Sequence, residues 1–386
     1  MTRSAGPPDE ETTEPTTQKR RLFPPPSRSA QKSEDSGVPL TPDRAREVLE
    51  TCDHEAFFKS VAGLARPGHG SVLQTMSYSP EVDFHRADCV VVEPDPANID
   101  TMLLYSKAAW PTFEADLLNP MLDSRYDELR AEVYYRLVEE SGNLALVTNH
   151  GEIIDIAVVL SAFAIATVMR ADHYGVLGES TSIDELAPHL NLLVSRMVAT
   201  TAAFGLPTMN VLQTMCRTYL SVPQTISRRK ARIDPTLARA SNVLARSELA
   251  NQLDQGGQLL AMAASGSQDL RLAAGLMQRV RTNWRSLRHE DPGEEPSLHL
   301  QPLYDGTINL MLACRYVVPV AISLNRAHPA CVLGAITRVK TPDDCHDIMR
   351  WIASTHETAT GVATVYHSHE DPLLDQVRSV IRQRSS

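Results

Sequence analysis

Residues 144–170 constrain the fold more than any other part of the chain, because two continuous apolar segments meet there at a short polar turn. Leu144-Ala-Leu-Val147 carries no polar side chain. A strand that is apolar on both sides needs cover on both faces, as in a parallel sheet wrapped by helices. Thr148-Asn149-His150-Gly151 follows as a turn, and Gly151 lets the backbone take conformations that a Cβ disfavours. Residues 153–170 are then apolar on nearly every side, which predicts a helix buried all round. Within them the longest predominantly apolar run, residues 156–169, is 14 long and is interrupted only by Ser161 and Thr167. Spanning a bilayer takes about 20 residues, so a core helix is the expectation.

The same alternation recurs along the chain. Residues 123–140 have the spacing of an amphipathic helix, ended by Ser141-Gly142-Asn143. Residues 242–255 read as another helix with Gly256-Gly257 as its stop, and residues 258–264 as a second buried strand leading into the turn Ser265-Gly266-Ser267. Residues 316–324 read as a third. Apolar strands separated by helices predict an α/β fold with a mainly parallel central sheet flanked by helices.

Ahead of this core, Thr41-Pro42-Asp43 predicts a helix with Thr41 as cap and Pro42 in the first position, running to about residue 62. Cys89-Val-Val-Val92 predicts a short strand, stopped by Glu93-Pro94-Asp95-Pro96. Residues 1–40 hold seven prolines among many Ser, Thr, Glu and Lys, the composition of a disordered tail. The expected organisation is that tail, a small N-terminal region over 41–105, a large domain over 106–372, and a C-terminal helix or tail over 373–386.

Charge and cysteine usage narrow the function classes. A net charge of -10 argues against a nucleic-acid binder, which needs a basic face. Cys52, Cys89, Cys216, Cys314, Cys331 and Cys345 form no Cys-x-x-Cys pair, so no structural zinc is expected, and their scatter suits a reducing compartment. The first 40 residues lack the apolar core of a secretory signal, and Asp9, Glu10, Glu11 and Glu14 are unlike a transit peptide. A soluble protein of the cytoplasm or an organelle stroma is expected, with peripheral membrane contact left open.

The chemistry centres on Asn149, His150 and Asp155, at the carboxyl end of the first core strand, where open α/β sheets bind ligands. Histidine is the side chain best placed to take a proton near neutral pH, and a nearby carboxylate can hold its tautomer. Five positions on an ideal helix amount to about 140° around its axis, so both cannot share one helical face. His150 is therefore expected in the turn before the helix and Asp155 in its first two turns. No nucleotide-binding glycine loop and no Gly-x-Ser-x-Gly elbow is present.

The segment Thr148-Asn149-His150-Gly-Glu-Ile-Ile-Asp155 resembles the Asn-His-(four residues)-Asp signature of the glycerophospholipid acyltransferase superfamily. The stretch from Ala240-Ser241-Asn242 through Gly256-Gly257 to Ser265-Gly266 is similar to one branch, the soluble chloroplast-type glycerol-3-phosphate acyltransferases. Asn119-Pro120-Met121-Leu122-Asp123 and Val318-Pro319-Val320-Ala321 resemble two further stretches of that branch, and the likeness covers about residues 106–330. It implies an acyltransferase domain over 106–372, with His150 as general base and Asp155 as its support. The acyl donor would be acyl-CoA or acyl-carrier protein, with no further cofactor and no metal. The acceptor would be a phosphorylated or polyol hydroxyl compound, such as glycerol-3-phosphate in phospholipid biosynthesis. Asn149, Arg228, Arg229, Lys230, Ser265, Gly266 and Arg271 would line the substrate site.

Arg228, Arg229 and Lys230 stand where that branch has a basic stretch for phosphate, and residues 226–246 hold six basic residues against one acid, Asp234. Where the branch has Arg-Asp-Arg, however, this chain has Gln268-Asp269-Leu270, with Arg271 one position on. Losing two guanidinium–phosphate contacts costs several kcal/mol unless another group replaces them. A non-catalytic lipid-binding or scaffold protein on the same fold is the alternative reading, and a His–Asp metal-dependent hydrolase a more remote one.

Overall fold

The computed structural model describes residues 40–62, 86–94, 99–138, 142–151, 155–171, 186–196, 202–203, 206–207, 212, 216–222, 233–264, 269–272, 297–324 and 329–385. The proline-rich segment 1–39, the turn 265–268 and the basic segment 228–230 lie outside them.

Two helices open the chain, α1 (Pro42–Glu50) and α2 (His54–Ala62). Thr41 caps α1 by accepting the Arg44 N–H at 3.3 Å. The single helix expected here is broken because the Asp53 carboxylate accepts the Ala56 N–H at 3.0 Å and starts a new helix. The strand expected at 89–92 is shorter, β1 (Val91–Val92). Next come α3 (Ile99–Ala109) and a π-helical turn (Glu114–Leu118) running into α4 (Asn119–Leu122). The helix expected from residue 123 begins instead with a 3-10 turn, Ser124–Tyr126, followed by α5 (Asp127–Val138). Buried Arg130 on α5 donates to the backbone carbonyls of Met121 and Asp123, so the stretch carrying the Asn-Pro-Met-Leu-Asp likeness is held by a guanidinium.

The central unit is β2 (Leu144–Thr148) followed by α6 (Asp155–Ala171). Leu144, Ala145, Leu146 and Val147 are all fully buried, as is nearly every residue of α6 from Val158 to Val168. The Ser106 and Ser161 hydroxyls meet inside the apolar α3–α6 contact, so each partners the other. Among the described residues no helix is long and apolar enough to cross a membrane.

The chain continues through β3 (Leu190–Ser195), the pair β4 (Ala202–Ala203) and β5 (Leu206–Pro207), β6 (Arg217–Ser221), α7 (Pro235–Asp254) and β7 (Leu259–Ala263). Helix α7 starts seven residues before the expected 242, at Pro235, because Asp234 caps it by accepting the Thr236 N–H at 2.8 Å. Gly256 (φ 76°) and Gly257 (φ 66°) both lie in the left-handed region, so the expected stop works by turning the backbone where a side chain would resist. Then follow β8 (Leu270–Leu272), β9 (Ser297–Leu300), α8 (Asp305–Cys314), β10 (Tyr316–Ser323), β11 (Ala330–Leu333), β12 (Thr337–Arg338), α9 (Pro342–Thr360), β13 (Ala363–Tyr366) and α10 (Pro372–Ser385).

The central sheet has eight strands in the order β1-β6-β3-β7-β2-β10-β11, with β12 also on β10. The five inner strands, β6 to β10, are mutually parallel, while β1, β11 and β12 pair antiparallel at the edges. The chain leaves β2 towards β3 and β6, returns to fill β7 between β3 and β2, and then passes beyond β2 to β10. All five inner strands thus end along one edge of the sheet. A second sheet, β13-β9-β8, lies beside it.

β10 holds a proline mid-strand, which costs a ladder hydrogen bond. The edge strand accommodates it. Between the pairs Val320–Leu333 and Val317–Thr337, the edge has residues 334–336 against only Val318 and Pro319, a bulge at the proline. Gly334 donates its N–H to the Pro319 carbonyl at 2.8 Å. A Cβ on Gly334 would lie 2.6 Å from Pro319 Cγ and 2.9 Å from Trp351 Cη2. Gly334→Ala is therefore expected to lower stability by about 1–3 kcal/mol, read as a lower denaturant midpoint. An unchanged midpoint would mean that the ring of Trp351 moves aside without cost.

Candidate active site

His150 lies outside any helix, in the turn after β2, and Asp155 is the first residue of α6. The spacing argument predicts this arrangement. Asp155 is buried, 2% exposed, where the positive end of the helix dipole favours a carboxylate, whereas His150 is half-buried.

The His150 turn is fixed from both sides by contacts that reach across the sequence. Asp269 is the main one. Its carboxylate accepts the His150 N–H at 2.6 Å, and its own N–H donates to the His150 carbonyl at 2.7 Å. The other carboxylate oxygen accepts the Gln301 N–H at 3.2 Å, which joins the second sheet to the same point. Asp269 is 5% exposed. Nothing local to Gln268-Asp269-Leu270 indicates this pairing, since His150 lies 119 positions away.

Asn149 holds the other side. Its amide donates to the Ile322 carbonyl at 2.8 Å and accepts the Ile322 N–H at 2.8 Å. The residue expected in the substrate site thus has its side chain on the β10 backbone, 2% exposed, where it locks the end of β2 to β10. From β7, the Ala264 N–H donates to the Thr148 carbonyl at 3.0 Å.

The same device recurs along this edge of the sheet. Asn242 on α7 donates to the Val222 carbonyl and accepts its N–H, both at 2.7 Å, which holds the end of β6. Arg196, directly after β3, is fully buried and donates to the carbonyls of Arg86 at 3.0 Å, Ala87 at 3.3 Å and Cys89. Burial pulls its guanidinium down to about 10, still protonated at neutral pH. Strand ends held by buried polar side chains make a preorganised rim.

The other expected substrate-binding residues are placed less fully. Arg228, Arg229, Lys230, Ser265 and Gly266 lie outside the described residues. Arg271 lies in β8, in register with Leu298 of β9. Arg246 of the basic stretch has its guanidinium against Gly306 of α8, and burial lowers its pKa. All six cysteines are free thiols, and burial pushes Cys216, Cys314, Cys331 and Cys345 up to about 12, so these four act as apolar groups. Among the described residues no three His, Cys, Asp or Glu side chains converge as metal ligands.

No protein-family model matches the chain, and no curated protein matches it.

Proposed function

We propose that the protein is an O-acyltransferase that moves a fatty acyl group from acyl-CoA or acyl-carrier protein to a hydroxyl of glycerol-3-phosphate or a related glycerolipid precursor. One observation carries this reading: a half-buried histidine in a turn at the carboxyl edge of a parallel sheet, with its backbone clamped and a buried carboxylate five residues on, at the start of a helix. His150 takes the proton of the acceptor hydroxyl, whose oxygen attacks the thioester carbonyl. The thiolate leaves with that proton. Asp155 supports the imidazolium that forms between the two steps. The rim contributes by holding the turn in one geometry, since misplacement of a base by about 1 Å costs around 100-fold in rate.

The test is an acyl-transfer assay on the purified protein with acyl-CoA and acyl-carrier protein donors. Glycerol-3-phosphate, glycerol and a lysophospholipid serve as acceptors. Acceptor-dependent thiol release with an ester product is the expected result. A preference for the phosphorylated acceptor that fades in an Arg228→Ala/Arg229→Ala double variant would place phosphate on the basic segment. Tight lipid binding without product from any acceptor would overturn the enzyme reading in favour of a lipid-binding scaffold.

A further inference from the structure

The second sheet carries four side chains in one hydrogen-bonded series. Ser297 Oγ and His299 Nε2 are 2.9 Å apart, His299 Nδ1 and His367 Nε2 2.8 Å, and His367 Nδ1 and Asp371 Oδ2 2.7 Å. The fold sets up each link. Ser297 and His299 are two apart on β9 and so share a face. β13 runs parallel to β9 with Val365 opposite His299, and the chain continues directly into His367. His367 is anchored by donating its N–H to the Leu300 carbonyl at 3.2 Å. Asp371 stands four residues on, at the entry to α10, where its other oxygen accepts the Leu373 N–H at 2.9 Å.

The order of protons along this series follows from its end. The Asp371 carboxyl is held below the usual range, first by its hydrogen bond with His367 and then by the Leu373 N–H. As an ionised carboxylate it can only accept, so His367 Nδ1 donates to it. In neutral imidazoles each ring then has one donor and one acceptor. His367 Nε2 accepts from His299 Nδ1, and His299 Nε2 is left to accept from the Ser297 hydroxyl. The series is directional, with a carboxylate at one end and a hydroxyl hydrogen-bonded to a ring nitrogen at the other. Burial, then the neighbouring His367, lowers the pKa of His299, which keeps this base neutral at physiological pH.

Two other histidines of this region also meet hydroxyls, His356 with Thr364 at 2.8 Å and His346 with Tyr366 at 2.6 Å. Accessibility also differs along the series. His299 is 6% exposed and His367 fully buried, whereas Ser297 at the open end is only half-buried.

We propose that the Asp371–His367–His299 relay makes Ser297 a nucleophile towards activated acyl esters and thioesters, at a site made of residues other than His150 and Asp155. In the step, Ser297 Oγ bonds to the acyl carbon and its proton passes to His299 Nε2. The bond from the acyl carbon to the leaving alcohol or thiol breaks, and the leaving group takes that proton. Acyl-Ser297 remains. Water, deprotonated by the same nitrogen, then releases the acid and restores the hydroxyl. His299 is the base, and His367 and Asp371 position and polarise it.

The test uses the full chain and a fluorophosphonate probe, which forms a Ser–O–P bond with loss of fluoride, followed by peptide mapping and rate measurement across pH. The expected label is on Ser297, absent in Ser297→Ala and formed at the parent rate in His150→Ala. His299→Gln should slow it by about 100-fold or more. Asp371 is partly exposed, so Asp371→Asn keeps the fold even if the His299 variant does not. Besides His367 and Asp371 themselves, two charged groups meet Gln301, directly after β9: Asp269 accepts its N–H at 3.2 Å, and Arg378 of α10 donates to its side chain at 3.1 Å. Because the Asp371 charge raises the His299 pKa, its loss should move the pH midpoint of labelling down as well as slow the reaction. The proposal is overturned if the folded protein is not labelled at Ser297. It is equally overturned if labelling there has the same rate and pH midpoint in Asp371→Asn.

Discussion

Replacing His150 with alanine is expected to lower acyl transfer by about 10³-fold, within the 10²–10⁴ range for loss of a general base, while leaving the fold intact. The second half of this prediction comes from the geometry. The bonds that hold the turn use the backbone N–H and carbonyl of residue 150, at 2.6 Å and 2.7 Å to Asp269, and alanine keeps both. The imidazole is half-buried, so its removal opens little cavity. Thiol release from acyl-CoA would report the loss of rate, and a thermal melt would report the preserved fold. Turnover near that of the parent would sink the assignment of His150 as base. A collapsed melting temperature would instead show that the ring has a structural role.

The opposite signature is expected of Asp269→Ala, which should reduce both stability and activity. Its carboxylate accepts two backbone N–H groups, from His150 and Gln301, in a site only 5% exposed. Removing it leaves both donors without their acceptor, at a cost of about 3 kcal/mol. In a chain of this size that corresponds to a fall in Tm of roughly 4 °C. The His150 turn also loses its fixed position, so transfer should drop by around 100-fold even well below the new Tm. Asp269→Asn separates the two effects. An amide fills the same space and keeps one acceptor, but it turns an N–H towards a backbone N–H. It should recover packing without recovering the clamp. Parent-like activity in both variants, measured at a temperature where each is folded, would mean that the turn is held by other contacts.

Much of the central fold can be read from the sequence because its signals are local. A continuous apolar run followed by a glycine turn announces β2 and the start of α6, and Gly256-Gly257 announces the end of α7. The strands that escape notice include two inner ones, β3, interrupted by Asn191, and β6, whose Arg217 and Thr218 break the apolar pattern, together with short strands such as those of the second sheet, which have too few residues to show a period. The early start of α7 was legible in principle, since Asp234-Pro235 is a standard opening of a helix. The site is a different case. The positions of His150 and Asp155 follow from spacing, because both belong to one turn and one helix. The clamps do not, because Asp269 and Ile322 meet residues more than a hundred positions away. Nothing local to Asn149 indicates that its amide faces a strand rather than a ligand.

Those distant partners also bear on when the molecule becomes competent. The backbone around His150 is set by Asp269, Gln301 and Ile322, all translated well after the turn itself. A ribosome that has made β2 and α6 has made His150 and Asp155 but none of the distant groups that set the turn. Long-range closure of this kind is slow compared with helix formation. The nascent chain is thus expected to carry an unformed site until its final fifth emerges, and a truncation before β10 should yield helices without a set turn. Competence at this rim is a property of the finished chain.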